Sequence, residues 1–150
     1  MDEIVKPYLS LSSSAFMDGQ HIPAKFTCDG ENISPQLEIG NIPEGTESLA
    51  LIVEDPDAPN GTWTHWLIWD LPVLHTIMEG EAPGPQGKND FGNNNYGGPC
   101  PPSGTHRYYF RLYALSQKLN LPEGASKEEL LKAIEPVKLA KAELMGKYNR

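Results

Sequence analysis

Three titratable side chains, Asp55, His65 and His106, fall at the ends of the most apolar segments of the chain, and Asp57 stands two residues beyond Asp55. Such groups are costly there unless they satisfy one another or a ligand. A carboxylate beside an imidazole favours the imidazolium, whose N–H groups can face an oxyanion. These residue types therefore suggest a ligand site in which Asp55 and Asp57 orient and charge His65 and His106. Two other chemistries use the same groups. Two histidines and a carboxylate could form a facial triad for iron or zinc, but aspartates beside histidines serve better as their hydrogen-bond partners than as ligands. A hydrolase could use either histidine as general base. Its nucleophile is missing: Ser103 sits in a Pro-Gly turn without a Gly-x-Ser-x-Gly elbow, and the prolines around Cys100 favour a structural role. No catalytic residue, metal or cofactor is expected.

Each group also has a plainer reading. A single histidine can simply bond a backbone carbonyl, and Asp55-Pro56-Asp57-Ala58-Pro59 can be an Asx-type turn with solvated carboxylates. Two histidines on matching strand ends, with an aspartate and stiff prolines beside them, favour the site.

The positioning elements are strands. Ser48–Glu54, His65–Leu71 and His106–Leu115 are rich in aliphatic, aromatic and β-branched residues and bounded by breakers. Alternation puts Leu49, Leu51, Val53 and Asp55 on one face, His65, Leu67 and Trp69 on another, and His106, Tyr108, Phe110 and Leu112 on a third. If residues 56–64 return the chain antiparallel, and the third strand is antiparallel to the first, all three polar ends meet at one rim. The long Gly- and Pro-rich stretch from Ala82 to Thr105 then becomes the pocket wall, ordered by Phe91, Tyr96 and Pro99–Pro102. Weaker strand candidates are Lys25–Cys28, Gln36–Ile39 and Leu139–Leu144, the last equally readable as helix. One helix is predicted at Lys127–Glu135, with a Ser126/Glu129 capping box, an apolar stripe of Leu130, Leu131 and Ile134, and a stop at Pro136.

With 39% hydrophobic and 21% charged residues and no internal repeat or linker, the 150 residues read as a single domain, 1–150, mainly β. A net charge of −8 sets the surface against nucleic acid and anionic headgroups. Met1–Ser14 reads neither as a leader nor as a membrane span, so a cytoplasmic location is expected, with Cys28 and Cys100 reduced and the two Asn-x-Ser/Thr sequons fortuitous.

DPDAP at Asp55–Pro59, His65-Trp66, and PPSGTHRY at Pro101–Tyr108 closely resemble signatures of the phosphatidylethanolamine-binding proteins, also called Raf kinase inhibitor proteins. KFTCDGENIS at Lys25–Ser34 and KNDFGNNNYGGPCPP at Lys88–Pro102 look like the bacterial and archaeal branch of that family. The resemblance runs from about Phe16 to the C-terminus. It implies an antiparallel β-sandwich with one or two short helices, and a small pocket at one end for phosphate-like anions such as phosphate or phosphoethanolamine. Carried onto this chain, the ligand-binding residues are Asp55, Asp57, His65 and His106, with Trp63, Gly98, Pro101 and Tyr108 as walls. Family members are described as headgroup binders, kinase regulators and serine protease inhibitors, and prokaryotic ones are often dimers, so a kinase or protease partner and a homodimer are implied alternatives. Ile39 stands where the family pattern has tryptophan, and Pro136-Val137-Lys138 replaces a Gly-His-containing run. The chain also ends soon after its last predicted strand, without the C-terminal helix of animal members, so a more open pocket is expected.

Overall fold

The computed structural model describes residues 8–150. The first seven residues, part of the segment read above as neither leader nor span, lie outside the described residues. Among the described residues, seven strands form two antiparallel sheets. The larger sheet has the order β4-β3-β6-β7, from Trp63–Leu71, Ser48–Asp55, Thr105–Leu115 and Lys138–Asn149. The smaller has the order β1-β2-β5, from Ser10–Ser12, Leu37–Gly40 and Thr76–Ile77. The helix α1 spans Lys127–Ile134. Among the described residues no helix is long and apolar enough to cross a membrane.

The main core lies between the sheets. Leu11, Leu37, Ile39 and Ile77 from the small sheet meet Leu49, Leu51, Val53, Trp66, Ile68, Phe110 and Leu112 from the large one. Ile39, where the family pattern has tryptophan, is therefore a core side chain at 3% exposure. The other face of the large sheet, with Ala50, Ile52, Leu67 and Trp69, is covered by Leu130 and Ile134 of α1. Two covered faces explain why β3 reads as an almost unbroken apolar run rather than an alternation.

The helix forms where its caps predict. Ser126 Oγ accepts from the Glu129 amide, and the Glu129 carboxylate accepts from the Ser126 amide. Leu131 departs from the expected stripe, turning outward while Leu130 and Ile134 are buried. Glu54, on the helix-facing side of β3, pairs with Lys127 of α1 and Arg111 of β6, tying helix to sheet. The remaining segments sort by context. Gln36–Ile39 falls on β2, Leu139–Leu144 is part of the longer β7, and Lys25–Cys28 is not a strand, since its start lies in a 3-10 turn at Ala24–Phe26. Pro23 removes a donor just ahead of that turn, and Phe26 is the residue it buries.

Candidate functional site

Antiparallel pairing of β3 with both β4 and β6 brings the end of β3 and the starts of its neighbours to one rim. A cavity of about 230 Å³ opens there. The strands contribute Asp55, Trp63, His65, His106 and Tyr108. The loops add Ala58, Pro59, Phe91, Cys100, Pro101 and Pro102.

His65 reaches the cavity through an irregularity that simple alternation misses. Val53 pairs with Trp66 but Glu54 pairs with Thr64, so β4 carries one extra residue at this point. A bulge of this kind re-aims the side chain it displaces. Strict alternation would keep His65 with Leu67 and Trp69; in the structure those two lie beneath α1, while His65 faces Tyr108 with ring centroids 5.2 Å apart. His106, Tyr108, Phe110 and Leu112 do follow one stripe down β6 into the main core.

Both imidazoles are held through Nδ1. His106 Nδ1–H donates to Asp55 Oδ2 at 2.6 Å, a pair with both residues buried. His65 Nδ1–H donates to the Gly97 carbonyl at 2.7 Å. Neither acceptor can donate, so the proton sits on Nδ1 in both rings and each Nε2 is left for another partner. His65 also lies edge-on to Phe91 at 5.3 Å. Burial between aromatic faces holds its pKa below the ordinary histidine value, against the Gly97 hydrogen bond and the field of Asp55. The expectation that carboxylates charge both histidines thus does not hold for His65, whose partner is a neutral carbonyl.

Asp57 and Gly98, expected at the pocket, stand outside its lining. The Asp57 amide donates to Asp55 Oδ1 at 2.7 Å, forming the Asx-type turn, and its carboxylate is turned onto Arg107. There Oδ2 accepts from the Arg107 amide and Nε, and Oδ1 accepts from Nη2 at 2.8 Å. The guanidinium holds the Asp57 carboxyl down at about 2. Gly98 lines an adjoining cavity of about 270 Å³ instead. A side chain there would meet the Phe26 carbonyl and Asn32 Oδ1, and one at Gly97 would meet the Phe91 ring, so the two glycines permit the loop to pass.

The long loop is ordered, as its aromatic and proline content predicts. Buried Asn89 is its hub: Oδ1 accepts from the amides of Phe91 and Asn93, and Nδ2 donates to the Asn95 carbonyl. Asp90 accepts from the Thr64 amide at 2.6 Å, anchoring the loop to the start of β4 and presenting Phe91 to the cavity. Tyr96 donates to the Phe26 carbonyl at 2.7 Å. The expectation of reduced thiols is overturned: Cys28 and Cys100 form a disulfide with a Cα separation of 5.5 Å. Compartment arguments ignore local geometry, and here the Cys28 amide already bonds the Pro99 carbonyl.

Tyr108 carries a polar cost. Its hydroxyl is buried without a hydrogen-bond partner among the described residues, and burial pushes its pKa up, so it remains a protonated donor. Of the cavity lining, Ala58 and Pro59 were not assigned to the pocket, and Phe91, Cys100 and Pro102 were covered only by the expectation that the Ala82–Thr105 stretch forms its wall. Each lies within or next to a motif already singled out, but no periodicity reports loop side-chain direction.

The sequence of residues 12–149 matches the family model described as phosphatidylethanolamine-binding protein. An uncharacterised-family protein from Methanothermobacter thermautotrophicus is 49% identical over 95% of this chain and 99% of its own. One from Aquifex aeolicus is 43% identical over 95% of this chain and 89% of its own. Among solved structures, a phosphatidylethanolamine-binding protein homolog from Chlamydia trachomatis superposes with a TM-score of 0.92 at 43% identity, covering 95% of this chain and 98% of the other. E. coli YbcL, described as a member of the mammalian family, gives 0.89 at 29% identity over 96% and 99%. With strand order, rim and motifs all in agreement, this chain belongs to the phosphatidylethanolamine-binding protein family.

Proposed function

We infer that the cavity binds a small oxyanion, a phosphate or a phosphorylated headgroup such as phosphoethanolamine, and binds it without turnover. The observation that carries this reading is the pair of imidazoles fixed through Nδ1, with neither Nε2 atom bonded among the described residues, at a cavity whose other walls are mainly apolar. A monoprotonated phosphate suits two such nitrogens: its P–OH donates to the neutral ring, and its oxygens accept from a ring that carries a second proton. A volume of about 230 Å³ lies below the usual drug-sized pocket and fits a headgroup better than a larger metabolite. Trp63 and Phe91, half-exposed and edge-to-face at 5.5 Å, form an apolar collar for whatever the phosphate is attached to.

Binding without turnover is supported by the state of the candidate nucleophiles. The Cys100 sulfur is held in a disulfide, and burial keeps Tyr108 protonated. The metal reading is weakened in the same way, since Asp55 stands behind His106 as its hydrogen-bond partner rather than beside it as a ligand. Titration calorimetry with inorganic phosphate and O-phosphoethanolamine, with ethanolamine alone as control, tests the reading. Binding of both phosphates and not of ethanolamine is expected. Equal binding of ethanolamine, or loss of neither phosphate in His106→Ala, would refute it.

A further inference from the structure

The disulfide forms part of the wall of the anion site. Cys100 lines the main cavity, and Cys28 and Cys100 together line the adjoining one of about 270 Å³. Cys100 is followed by Pro101 and Pro102, which line the main cavity and have no amide donor with which to hold themselves in place. Three residues before Cys100, Gly97 orients His65 through its carbonyl. The sulfur–sulfur bond thus joins the loop carrying both features to the Thr27–Asp29 segment.

Its two ends differ. Cys28 is exposed and Cys100 half-buried. Arg150 Nη1 lies 3.6 Å from Cys100 Sγ, and Arg150 is itself held by Asp29, whose Oδ1 accepts from Nη2 at 2.8 Å. Tyr148 holds the other Asp29 oxygen at 2.6 Å. A guanidinium beside one sulfur stabilises that sulfur as thiolate and makes it the better leaving group, while exposure makes the other the better target.

We propose that the Cys28–Cys100 disulfide is a polarised thiol-exchange site, reduced by attack of a thiol reductant at Cys28, whose opening loosens the oxyanion cavity. In the first step the reductant's thiolate forms a bond to Cys28 Sγ, the Cys28–Cys100 bond breaks, and its electron pair leaves on Cys100 Sγ opposite Arg150. A second thiol of the reductant then displaces Cys28, which departs as a thiolate and takes the proton that thiol gives up. The protein gains two electrons and one proton, as a Cys28 thiol and a Cys100 thiolate that takes a second proton from solvent, and the reductant is oxidised to its disulfide. With the bond open, hydrogen bonds such as that from the Cys28 amide to the Pro99 carbonyl are all that join the two segments, so Pro101, Pro102 and the Gly97 carbonyl, and with them the ligand, are held less firmly. This last step rests on the anion-binding reading; the polarity of the bond does not.

The experiment separates the two. Oxidised protein is exposed briefly to limiting glutathione, alkylated, and mapped by peptide mass. Glutathione on Cys28 with alkylated Cys100 is expected; the reverse, or an even mixture, overturns the proposal. With dithiothreitol, Arg150→Gln should release the Cys100 thiol roughly tenfold more slowly than the unaltered chain, with an unchanged circular dichroism spectrum, and equal rates overturn it. O-phosphoethanolamine should bind the reduced protein roughly tenfold more weakly than the oxidised one, and equal affinity overturns the coupling. If neither form binds it, the anion reading fails, and coupling is judged from hydrogen exchange of the Gly97 amide, which bonds the His65 carbonyl at 3.0 Å. Faster exchange on reduction supports it, and unchanged exchange overturns it.

Discussion

Asp55 Oδ2 and His106 Nδ1 stand 2.6 Å apart although 51 residues separate them in sequence, and this contact joins the end of β3 to the start of β6 at the cavity floor. A buried carboxylate and a buried imidazole each remove the penalty the other would otherwise face. Removing one partner therefore leaves the other uncompensated. Asp55→Ala should destabilise the protein by about 3 kcal/mol in denaturant unfolding and weaken O-phosphoethanolamine at least tenfold. Asp55→Asn keeps an acceptor for Nδ1–H and should recover most of the stability. An Asp55→Ala protein as stable as the parent would show that the pair does not hold the floor.

His65 sets a pH dependence of opposite sign for folding and for binding. Its pKa in the folded chain lies below the ordinary value of about 6.5, burial being the main cause. Between 6.5 and that lower value the unfolded chain binds a proton that the folded chain does not, so stability falls as pH falls through this window. His65→Gln should remove this part of the acid sensitivity, read from urea midpoints at pH 7.5 and 5.5. Ligand binding runs the other way. A phosphate at Nε2 either brings a proton or stabilises one on the ring, so binding takes up protons and affinity rises as pH falls. Calorimetry from pH 5 to 9 that shows no trend would refute it.

The disulfide closes a sequence separation of 72 residues. Loop-closure entropy for such a span corresponds to about 4 kcal/mol of stability on the chain-entropy view. Cys28→Ser should lower stability by about 2–4 kcal/mol in guanidinium unfolding. A loss under 1 kcal/mol would mean that the unfolded chain is already compact around these loops.

Much of this architecture was legible in the sequence because its signals are local. The three apolar runs became β3, β4 and β6, the Ser126/Glu129 pair capped α1, and the antiparallel return over residues 56–64 placed Asp55 and the histidines at one rim. What escaped pattern reading depends on three-dimensional context. The bulge at Thr64–Trp66 turned His65 away from the face that counting in twos assigns, and no residue type there announces it. Leu131 fits a helical stripe as well as Leu130 does, but the sheet beneath α1 accepts only one of them. Pairing of Cys28 with Cys100 needed the loop path set by Gly97 and Gly98. The side-chain directions of Asp57 and Phe91 were fixed by Arg107 and Asn89, neither of which periodicity can connect to them.

Asp57 offers the sharpest division between touching the ligand and holding the site. The family resemblance assigns it to the pocket, yet its carboxylate makes three hydrogen bonds to Arg107, and only its amide touches Asp55. If Asp57 positions rather than binds, Asp57→Ala should release Arg107 while leaving the Asp55–His106 contact and both Nε2 atoms in place. Stability should then fall by about 1 kcal/mol, the scale of a partly exposed ion pair with one backbone bond. O-phosphoethanolamine affinity should change by less than about threefold, well short of the loss expected at Asp55. The acid limb supplies a second check, because Asp57 is held at about 2 in the folded chain. The stability it contributes is present above about 4 and disappears as pH falls towards 2, so the variant and the parent should converge in urea midpoint there. An affinity loss in Asp57→Ala as large as that in Asp55→Ala, at unchanged stability, would instead place the Asp57 carboxylate against the ligand.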